Sequence, residues 1–274
     1  MCGRYTITSD PRELGKLVQF ICRVADFKPR YNLAPRQPAP VLLWERGSAT
    51  LRTMRWGLIP SWSKDENIGD KLTNARADTI TQKLSYRRPF EKQRCLVPAD
   101  GFYEWQTTPT GKQPFRFTLK IGDIFCLAGL WERWLRPARV GELNLDDANL
   151  EVSQTIDSFT IITTEANSLI TPFHNRMPVI LSPDHYQGWL EPNRLEPQFL
   201  KTLLCPYPAE FMACHRVSCL VNSAKHDTPE CLPANGLLAY FQKFLLYLAT
   251  PPVNAPRNTP MAANDRPTGA AILH

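Results

Sequence analysis

The chain has 274 residues, of which 43% are hydrophobic and 21% are charged, a composition typical of a globular protein with its own core. Its net charge of +6 is mildly basic, which is compatible with an anionic partner but does not identify one. Since the sequence contains neither an apolar run long enough to cross a bilayer nor the pattern of a secretory leader, we expect a protein that is neither membrane-spanning nor secreted.

The eight cysteines follow no regular spacing, and most lie in apolar runs such as "IFCLAGL", where a reduced thiol behaves as a small hydrophobic residue. This usage predicts a reducing, cytoplasmic environment. One group has the residue types of a zinc site, but it contains no C-x-x-C pair and its gaps fit no common zinc pattern: Cys214, His215, Cys219, His226 and Cys231. We therefore expect no metal and no other cofactor.

The first third of the chain predicts strands and one helix. "CGRYTIT" predicts a strand, because Tyr and Thr stand in a weakly alternating pattern. In "SDPRELGKLVQFICRVADF", Asp10 is a candidate N-cap, Pro11 suits the first helical position and Glu13 completes a capping-box pattern, so a helix is predicted. "PVLLWERGSATLRTMRWGLIP" then predicts two strands that are joined at "ERGS".

The remaining segments predict more strands, interspersed with short helices. Strands are predicted in "RCLVPADGFYEWQ", in "QPFRFTLKIGDIFCLAGLWERW" with a turn at "IGD", in "SFTIITT" and in "MPVIL". Short helices are predicted at "SPDHYQGWL", "EPQFLKTLL" and "LLAYFQKFLLYLA". This mixture favours an α+β fold over a regular βαβ repeat. Residues 136–155 are polar and predict an exposed insertion, and residues 250–274 lack periodicity and predict a disordered tail.

Cys2 is a candidate nucleophile, because it becomes the first residue when Met1 is removed. Its α-amine would then have a pKa near ~8, so part of it is unprotonated at neutral pH. A free amine attacks a carbonyl carbon, and the adjacent thiol can close on the resulting imine. The alternative is that Cys2 is a small apolar residue at the start of a buried strand.

Five polar stretches contain groups that such a nucleophile needs: "RYNLAP", "WGLIPSW", "NARADT", "ADGFYEW" and "PFHNRMPVIL". Each has a structural interpretation, since Asn32 and Asn74 can cap turns, Glu104 can be a half-buried strand residue and His174 can be a structural histidine. Taken together, a carboxylate and an imidazole can move the protons of imine formation, and an amide can hold the nucleophile or an oxyanion.

In their order, "MCGRY", "RYNLAP", "WGLIPSW", "NARADT", "PADGFYEW" and "FHNRMPVIL" resemble the SOS-response-associated peptidase (SRAP) family, the abasic-site-processing proteins. The resemblance runs from Cys2 to about "VSCLVNSAKHDTPEC". It implies a single α+β domain over residues 2–235, with a central β-barrel-like mixed sheet, peripheral helices and a positively charged DNA groove. It also implies a covalent, thiazolidine-forming link from Cys2 to an abasic deoxyribose in single-stranded DNA, made by a monomer that associates with DNA and with replication-fork proteins.

The resemblance assigns roles to individual residues. The catalytic set that it implies consists of Cys2 as nucleophile, Asn74 positioning the sugar, Glu104 as acid/base and His174 assisting ring opening and reversal. The DNA-binding set that it implies consists of Arg4 and Arg76 as phosphate contacts, Trp62 as the stacking aromatic and Asn32 at the border of the pocket. Removal of Met1 by the chain itself and a weak lyase activity are further expectations. Met177 departs from the family pattern, because this position is often basic.

Two other functions fit part of the pattern. Class II glutamine amidotransferases also begin with Met-Cys-Gly and use the thiol as nucleophile, but the stretches above do not resemble their glutamine-binding motifs. A non-catalytic single-strand-binding protein would keep the basic and aromatic residues and would not need Cys2. A glutaminase assay tests the first, and salt-sensitive binding that survives Cys2→Ala without an adduct would indicate the second.

Overall fold

A computed structural model describes residues 2–122, 124–136 and 155–233 of the chain. The predicted tail, the predicted helix "LLAYFQKFLLYLA" and the predicted insertion, apart from its two end residues, lie outside this part. The strands are β1 (Tyr5–Ile7), β2 (Ile21–Cys22), β3 (Arg30–Leu33), β4 (Pro38–Glu45), β5 (Ser48–Trp56), β6 (Asn74–Arg76), β7 (Arg94–Ala99), β8 (Gly101–Thr108), β9 (Gly111–Leu119), β10 (Phe125–Leu135), β11 (Thr155–Glu165), β12 (Arg176–Pro178), β13 (Ile180–Leu181) and β14 (Met212–Arg216).

The helices are short and lie around these strands. The α-helices are α1 (Leu84–Lys92), α2 (Tyr186–Leu190) and α3 (Pro197–Thr202). Single 3₁₀ segments occur at Pro11–Lys16, Glu66–Lys71, Ala77–Thr79, Pro183–His185, Ala209–Phe211, Cys219–Asn222 and Pro229–Cys231. Within the described ranges, no helix is both long enough and apolar enough to cross a membrane.

Five strands close into a ring at the centre of the fold. The antiparallel order β5–β4–β7–β10–β11 is completed by a parallel pairing of β11 with β5, in which Phe159 lies opposite Trp56. Buried side chains from these strands, among them Leu42, Val97 and Leu127, belong to one continuous core. Since closure leaves these strands without free edges, the ring is a barrel-like core. The predicted α+β fold with a central barrel-like sheet is confirmed.

A second sheet, in the order β14–β9–β8–β1–β3, adjoins the barrel where β7 continues into β8. The corner between them is Asp100, a buried carboxylate that accepts hydrogen bonds from the Thr6 hydroxyl at 2.5 Å and the Thr8 hydroxyl at 2.6 Å. Arg116 on β9 donates to the same carboxylate at 3.0 Å. Because a buried charge needs partners, this cluster fixes the start of the chain against β8 and β9.

The predicted hairpin at "ERGS" is confirmed: Arg46 (φ 51°) and Gly47 (φ 81°) connect β4 to β5, and two consecutive positive φ angles match the twist of such a hairpin. The predicted helices at "SPDHYQGWL" and "EPQFLKTLL" are also confirmed as α2, with the 3₁₀ turn before it, and α3.

The long helix predicted after Asp10 is wrong. The Asp10 side chain does accept from the Arg12 backbone N–H, but the helix is a 3₁₀ segment that ends at Lys16. Leu14 is buried whereas Leu17 and Ile21 are exposed, and Ile21 pairs with Thr50 at the start of β2. The apolar spacing therefore does not mark one buried face, and pairing with β5 overrides the helical pattern.

Helix α1 was not predicted, because Pro89 lies inside it. Tertiary packing supports this helix: Tyr86 and Phe90 are buried, and the Phe90 ring meets the Trp189 ring edge-on with 6.2 Å between centroids. Strands β3, β6 and β14, which have four, three and five residues, were not predicted either.

Two glycines allow the loop after β5 to pass close to the 3₁₀ segment Glu66–Lys71. A Cβ on Gly69 would lie 2.7 Å from the Gly57 carbonyl oxygen, a distance that this backbone contact cannot accommodate. We expect Gly69→Ala to lower the free energy of unfolding by about 1–3 kcal/mol, as overpacking does. Urea unfolding checks this, with Gly15→Ala as control, because the nearest atom to a Cβ there is 4.0 Å away. Equal stability of the two variants would contradict the prediction.

Candidate active site

Strand β11 gathers three site residues at its C-terminal end. Strand β5 pairs with the first half of β11, and the short strand β6 pairs with the same edge of β11 further along. Asn74 therefore lies opposite Ile161, and Arg76 lies opposite Thr163. On the other side of β11, β12 places Arg176 opposite Glu165. Segments that are about 100 residues apart in sequence thus meet at one end of the barrel.

Asn74 connects this end of the barrel to the start of the chain. Its Nδ2 donates a hydrogen bond to the Cys2 carbonyl oxygen at 2.9 Å. Its Oδ1 is buried and accepts no hydrogen bond from the residues that the structure describes. Since buried acceptors are normally satisfied, this oxygen is available to a donor on a ligand.

Cys2 and Glu104 are both buried and are close enough to interact electrostatically. Cys2 is fully buried, and the Tyr103 backbone N–H donates to the Arg4 carbonyl at 3.0 Å, which continues the β1–β8 ladder toward both residues. Burial raises the pKa of the Cys2 thiol, and the negative charge of Glu104 acts in the same direction. The thiol is therefore protonated at neutral pH.

Glu104 has the pKa of a group that exchanges protons near neutrality. Burial raises its pKa to about 7, although the positive charge of the amino terminus acts in the opposite direction. A carboxyl group with such a pKa is present in both forms at pH 7, which suits a general acid/base.

His174 is held near the same place by aromatic packing. Phe115 lies opposite Glu104 in the β8–β9 ladder, and its ring packs against that of Phe173, with 4.8 Å between centroids. The His174 Nδ1 accepts from the Arg176 backbone N–H at 2.9 Å. Burial lowers the pKa of His174, and the positive amino terminus acts in the same direction, so the imidazole is neutral at pH 7. Glu104 and His174 thus both respond to the charge of the amino terminus.

Arg4 and Asn32 form a separate cluster beside this site. One Arg4 Nη donates to Asn32 Oδ1 at 2.9 Å and to the Val221 carbonyl at 2.8 Å. Asn32 is fully buried, and its Nδ2 donates to the carbonyls of Val221, Ser223 and His226. Asn32 therefore supports Arg4 and the 221–226 segment from inside, and has no surface with which to contact DNA directly.

Trp62 is presented on an anchored loop. Its side chain is 52% exposed, whereas the loop is held by a hydrogen bond from the Ile59 N–H to Ser158 Oγ at 2.8 Å and one from Trp134 Nε1 to the Ser63 carbonyl at 2.7 Å. An exposed ring on a fixed backbone is suited to stacking. No contact joins Trp62 to Cys2 in the described part of the chain.

A groove of about 760 Å³ lies next to His174 and is lined by Arg76, Asp78 and Arg176. Arg76 donates to both oxygens of Asp78, at 3.1 and 2.7 Å, and Nη2 of Arg176 lies 3.5 Å from Asp78. Sequence reasoning did not include Asp78 or Arg176 in the site; the signal that could have found them is their spacing, two residues after Arg76 and two after His174.

Two further expectations concern Met177 and the candidate zinc ligands. Met177 is fully buried, so its side chain has no surface with which to contact phosphate. Of the cysteines and histidines considered for zinc, Cys231 is buried and Cys219 is exposed, and no group of three metal-ligating side chains forms among the residues that the structure describes.

The sequence matches one family model, and it matches several known proteins that share the description of abasic site processing. A family model described as SOS response associated peptidase (SRAP) matches residues 1–224. The abasic site processing protein YoqW of Bacillus subtilis (strain 168) is 40% identical over 239 residues, which cover 86% of this chain and 100% of the relative. The abasic site processing protein HMCES of Gallus gallus is 34% identical over 245 residues, covering 77% of this chain and 67% of that protein.

The fold has solved relatives as well. The crystal structure of a protein from Bacteroides thetaiotaomicron matches with a TM-score of 0.71 and 26% sequence identity, covering 85% of this chain and 100% of that one. With most of the chain matched by the family model, by these sequence relatives and by this structure, the protein belongs to the SOS response associated peptidase (SRAP) family.

Proposed function

We propose that this protein processes abasic sites in single-stranded DNA by linking Cys2, after removal of Met1, to the lesion through a thiazolidine. The names of its relatives support the substrate class. The observation that carries the proposal is the link from Asn74 Nδ2 to the Cys2 carbonyl, with the buried Asn74 Oδ1 left as an open acceptor beside it. This arrangement holds the nucleophile and leaves a place for a sugar hydroxyl.

The chemistry uses groups that surround Cys2. An abasic sugar in its open form has a C1′ aldehyde, which the α-amine attacks to give a carbinolamine. Protonated Glu104 then donates a proton to the departing hydroxyl, so that water leaves, and the resulting carboxylate takes the N–H proton to give an imine. The thiol sulfur adds to the imine carbon while its proton passes to nitrogen, and a five-membered ring closes. One water is released overall, and the ring withdraws the imine from β-elimination.

His174 and Asn74 act on the sugar. A neutral imidazole can accept the proton of the C1′ hydroxyl as the C1′–O4′ bond breaks and then give that proton to O4′, which opens the sugar ring to the aldehyde. The same transfer in reverse closes the ring when the adduct is hydrolysed. Asn74 Oδ1 accepts a hydrogen bond from a sugar hydroxyl and so aligns C1′ with the α-amine of Cys2. A residual imine that escapes ring closure would give a weak lyase activity.

DNA binding involves charge and stacking. Arg4 and Arg76 contact phosphates, and Trp62 stacks on a base, which contributes ~1–3 kcal/mol per stacked base. Asn32 contributes by holding Arg4. The protein then works as a DNA-associated cytoplasmic monomer, and removal of Met1 by the chain itself would account for the word peptidase in the family description.

The intact mass of the purified protein, before and after mixing with single-stranded DNA that carries one abasic site, tests the proposal. We expect a mass that lacks Met1 and, after mixing, an adduct that loses one water and maps to Cys2. Retained Met1 without an adduct would overturn the proposal, because the α-amine of Cys2 would be blocked. A processed Cys2 without an adduct would also overturn it, and a glutaminase assay would then test the amidotransferase alternative.

A further inference from the structure

Asp78 lies between two arginines in a groove whose lining also contains Lys201 and Glu165. It accepts two hydrogen bonds from the Arg76 guanidinium and lies 3.5 Å from that of Arg176, so one carboxylate is shared by two arginines. Together the three side chains carry a net charge of +1. The same guanidinium face that binds a carboxylate with two parallel hydrogen bonds also binds a phosphate in that way. Asp78 therefore occupies the position that a phosphodiester oxygen pair would take on Arg76.

The two arginines differ in burial. The Arg176 side chain is buried, and its Nη2 and Nε donate to the Thr163 carbonyl and hydroxyl. The side chains of Arg76 and Asp78 are 56% and 50% exposed. Arg176 is thus part of the fold, whereas Asp78 can turn away from Arg76 into solvent and remain attracted to Arg176. Exposed pairs of this kind are weak, so the exchange is easy.

We propose that Asp78 is an internal counter-ion of Arg76 that a phosphodiester of single-stranded DNA displaces on binding, so that this residue limits DNA affinity and speeds release. The inference rests on the proposed function, because it takes Arg76 as a phosphate contact. Competition by a built-in carboxylate lowers the affinity for every strand without reading its sequence. It favours the release of strands that bind without forming an adduct.

The test measures the binding of a fluorescein-labelled oligonucleotide without abasic sites, by anisotropy over a series of salt concentrations. We expect Asp78→Asn to bind about threefold tighter than wild type at low salt. The slope of log K against log salt steepens by up to about 0.7, the contribution of one further phosphate contact on a single strand. We also expect slower dissociation from the same oligonucleotide.

Asp157 provides a matched control, because it too is shared by two arginines, with Arg133 Nε at 2.7 Å and Arg52 Nη2 at 2.8 Å. It lies on β11 six residues before Thr163, about 20 Å away at the usual rise of a strand. We expect Asp157→Asn to leave DNA binding at the wild-type level. Thermal unfolding of each variant shows that it is folded, and Asp78→Ser serves as the second variant at the test position.

A double-mutant cycle shows whether Asp78 acts through Arg76. We expect Arg76→Ala to weaken binding and flatten the salt slope, and the gain from Asp78→Asn to disappear in that background. An unchanged affinity and slope in Asp78→Asn and Asp78→Ser would overturn the inference, as would an equal gain in Asp157→Asn or an undiminished gain in the Arg76→Ala background. Adduct formation is measured separately, so a missing adduct with the expected gain in affinity rejects the covalent function alone.

Discussion

We expect Cys2→Ala to abolish the DNA adduct that survives denaturation, with a loss on the order of 100-fold or more. The variant keeps its N-terminal amine but has no thiol to trap the imine. Water then hydrolyses the imine back to the amine and the aldehyde. Because Cys2 is fully buried, the loss of its sulfur also costs about 1 kcal/mol of stability, too little to unfold the domain. A denaturing gel with labelled abasic DNA measures the adduct.

Two controls make this result specific. Cys22→Ala removes an exposed cysteine outside the site, and we expect a wild-type yield of adduct. Reduction with cyanoborohydride traps an imine as a stable amine, so it restores a covalent product in Cys2→Ala when the amine attacks first. An undiminished adduct in Cys2→Ala without reductant would reject the thiazolidine, and loss of the adduct in Cys22→Ala would point to another thiol.

We expect Glu104→Gln to slow adduct formation by about 10²–10⁴-fold, the usual effect of losing a general acid/base, while the affinity for DNA is unchanged. The pKa of about 7 sets the pH dependence. In wild type the fraction of protonated Glu104 falls as the pH rises through 7, while the fraction of free amine rises toward a pKa near ~8, so the rate passes through a maximum. Single-turnover rates over a pH series show whether the fall in rate on the alkaline side of this maximum disappears in Glu104→Gln.

Although Glu104→Gln slows adduct formation, we expect it to raise the free energy of unfolding at alkaline pH. Burial makes the native carboxyl hold its proton more tightly than the unfolded one, so the wild type loses stability as the pH rises from about 4 to 7. A glutamine amide does not titrate in this range, so the Glu104→Gln variant is more stable than wild type at pH 8, by on the order of 3 kcal/mol at about 1.4 kcal/mol per pKa unit. A rate that falls without this gain would contradict the assignment of a buried, titrating Glu104.

Glu132 is a matched control for the loss of a buried carboxyl group. It is also buried, and burial raises its pKa, but it lies on β10 outside the candidate site. We expect Glu132→Gln to form the adduct at the wild-type rate. An equal loss of rate in both variants would show that any buried carboxylate matters for folding, and it would remove the acid/base role of Glu104.

Local patterns in the sequence determined much of the strand content and the residue types of the site. The hairpin at "ERGS" was predictable because its two turn residues and its flanking apolar runs are adjacent in the chain. The ordered motifs from "MCGRY" to "FHNRMPVIL" were sufficient to indicate the family, since each motif is contiguous. Alternation and turn chemistry act over a few residues, and so can be read without coordinates.

Only the tertiary structure decided which of these residues meet. The hydrogen bond from Asn74 to the Cys2 carbonyl joins residues that are 72 positions apart. It depends on the pairing of β6 with β11, which could not be predicted because the three residues of β6 are too few to show a strand pattern. Packing against residues 221–226 buries Asn32, and the pairing of β6 and β12 with β11 sets Asp78 between two arginines. Such contacts cannot be predicted from local patterns, because burial and long-range pairing, rather than local propensity, determine where short polar segments lie.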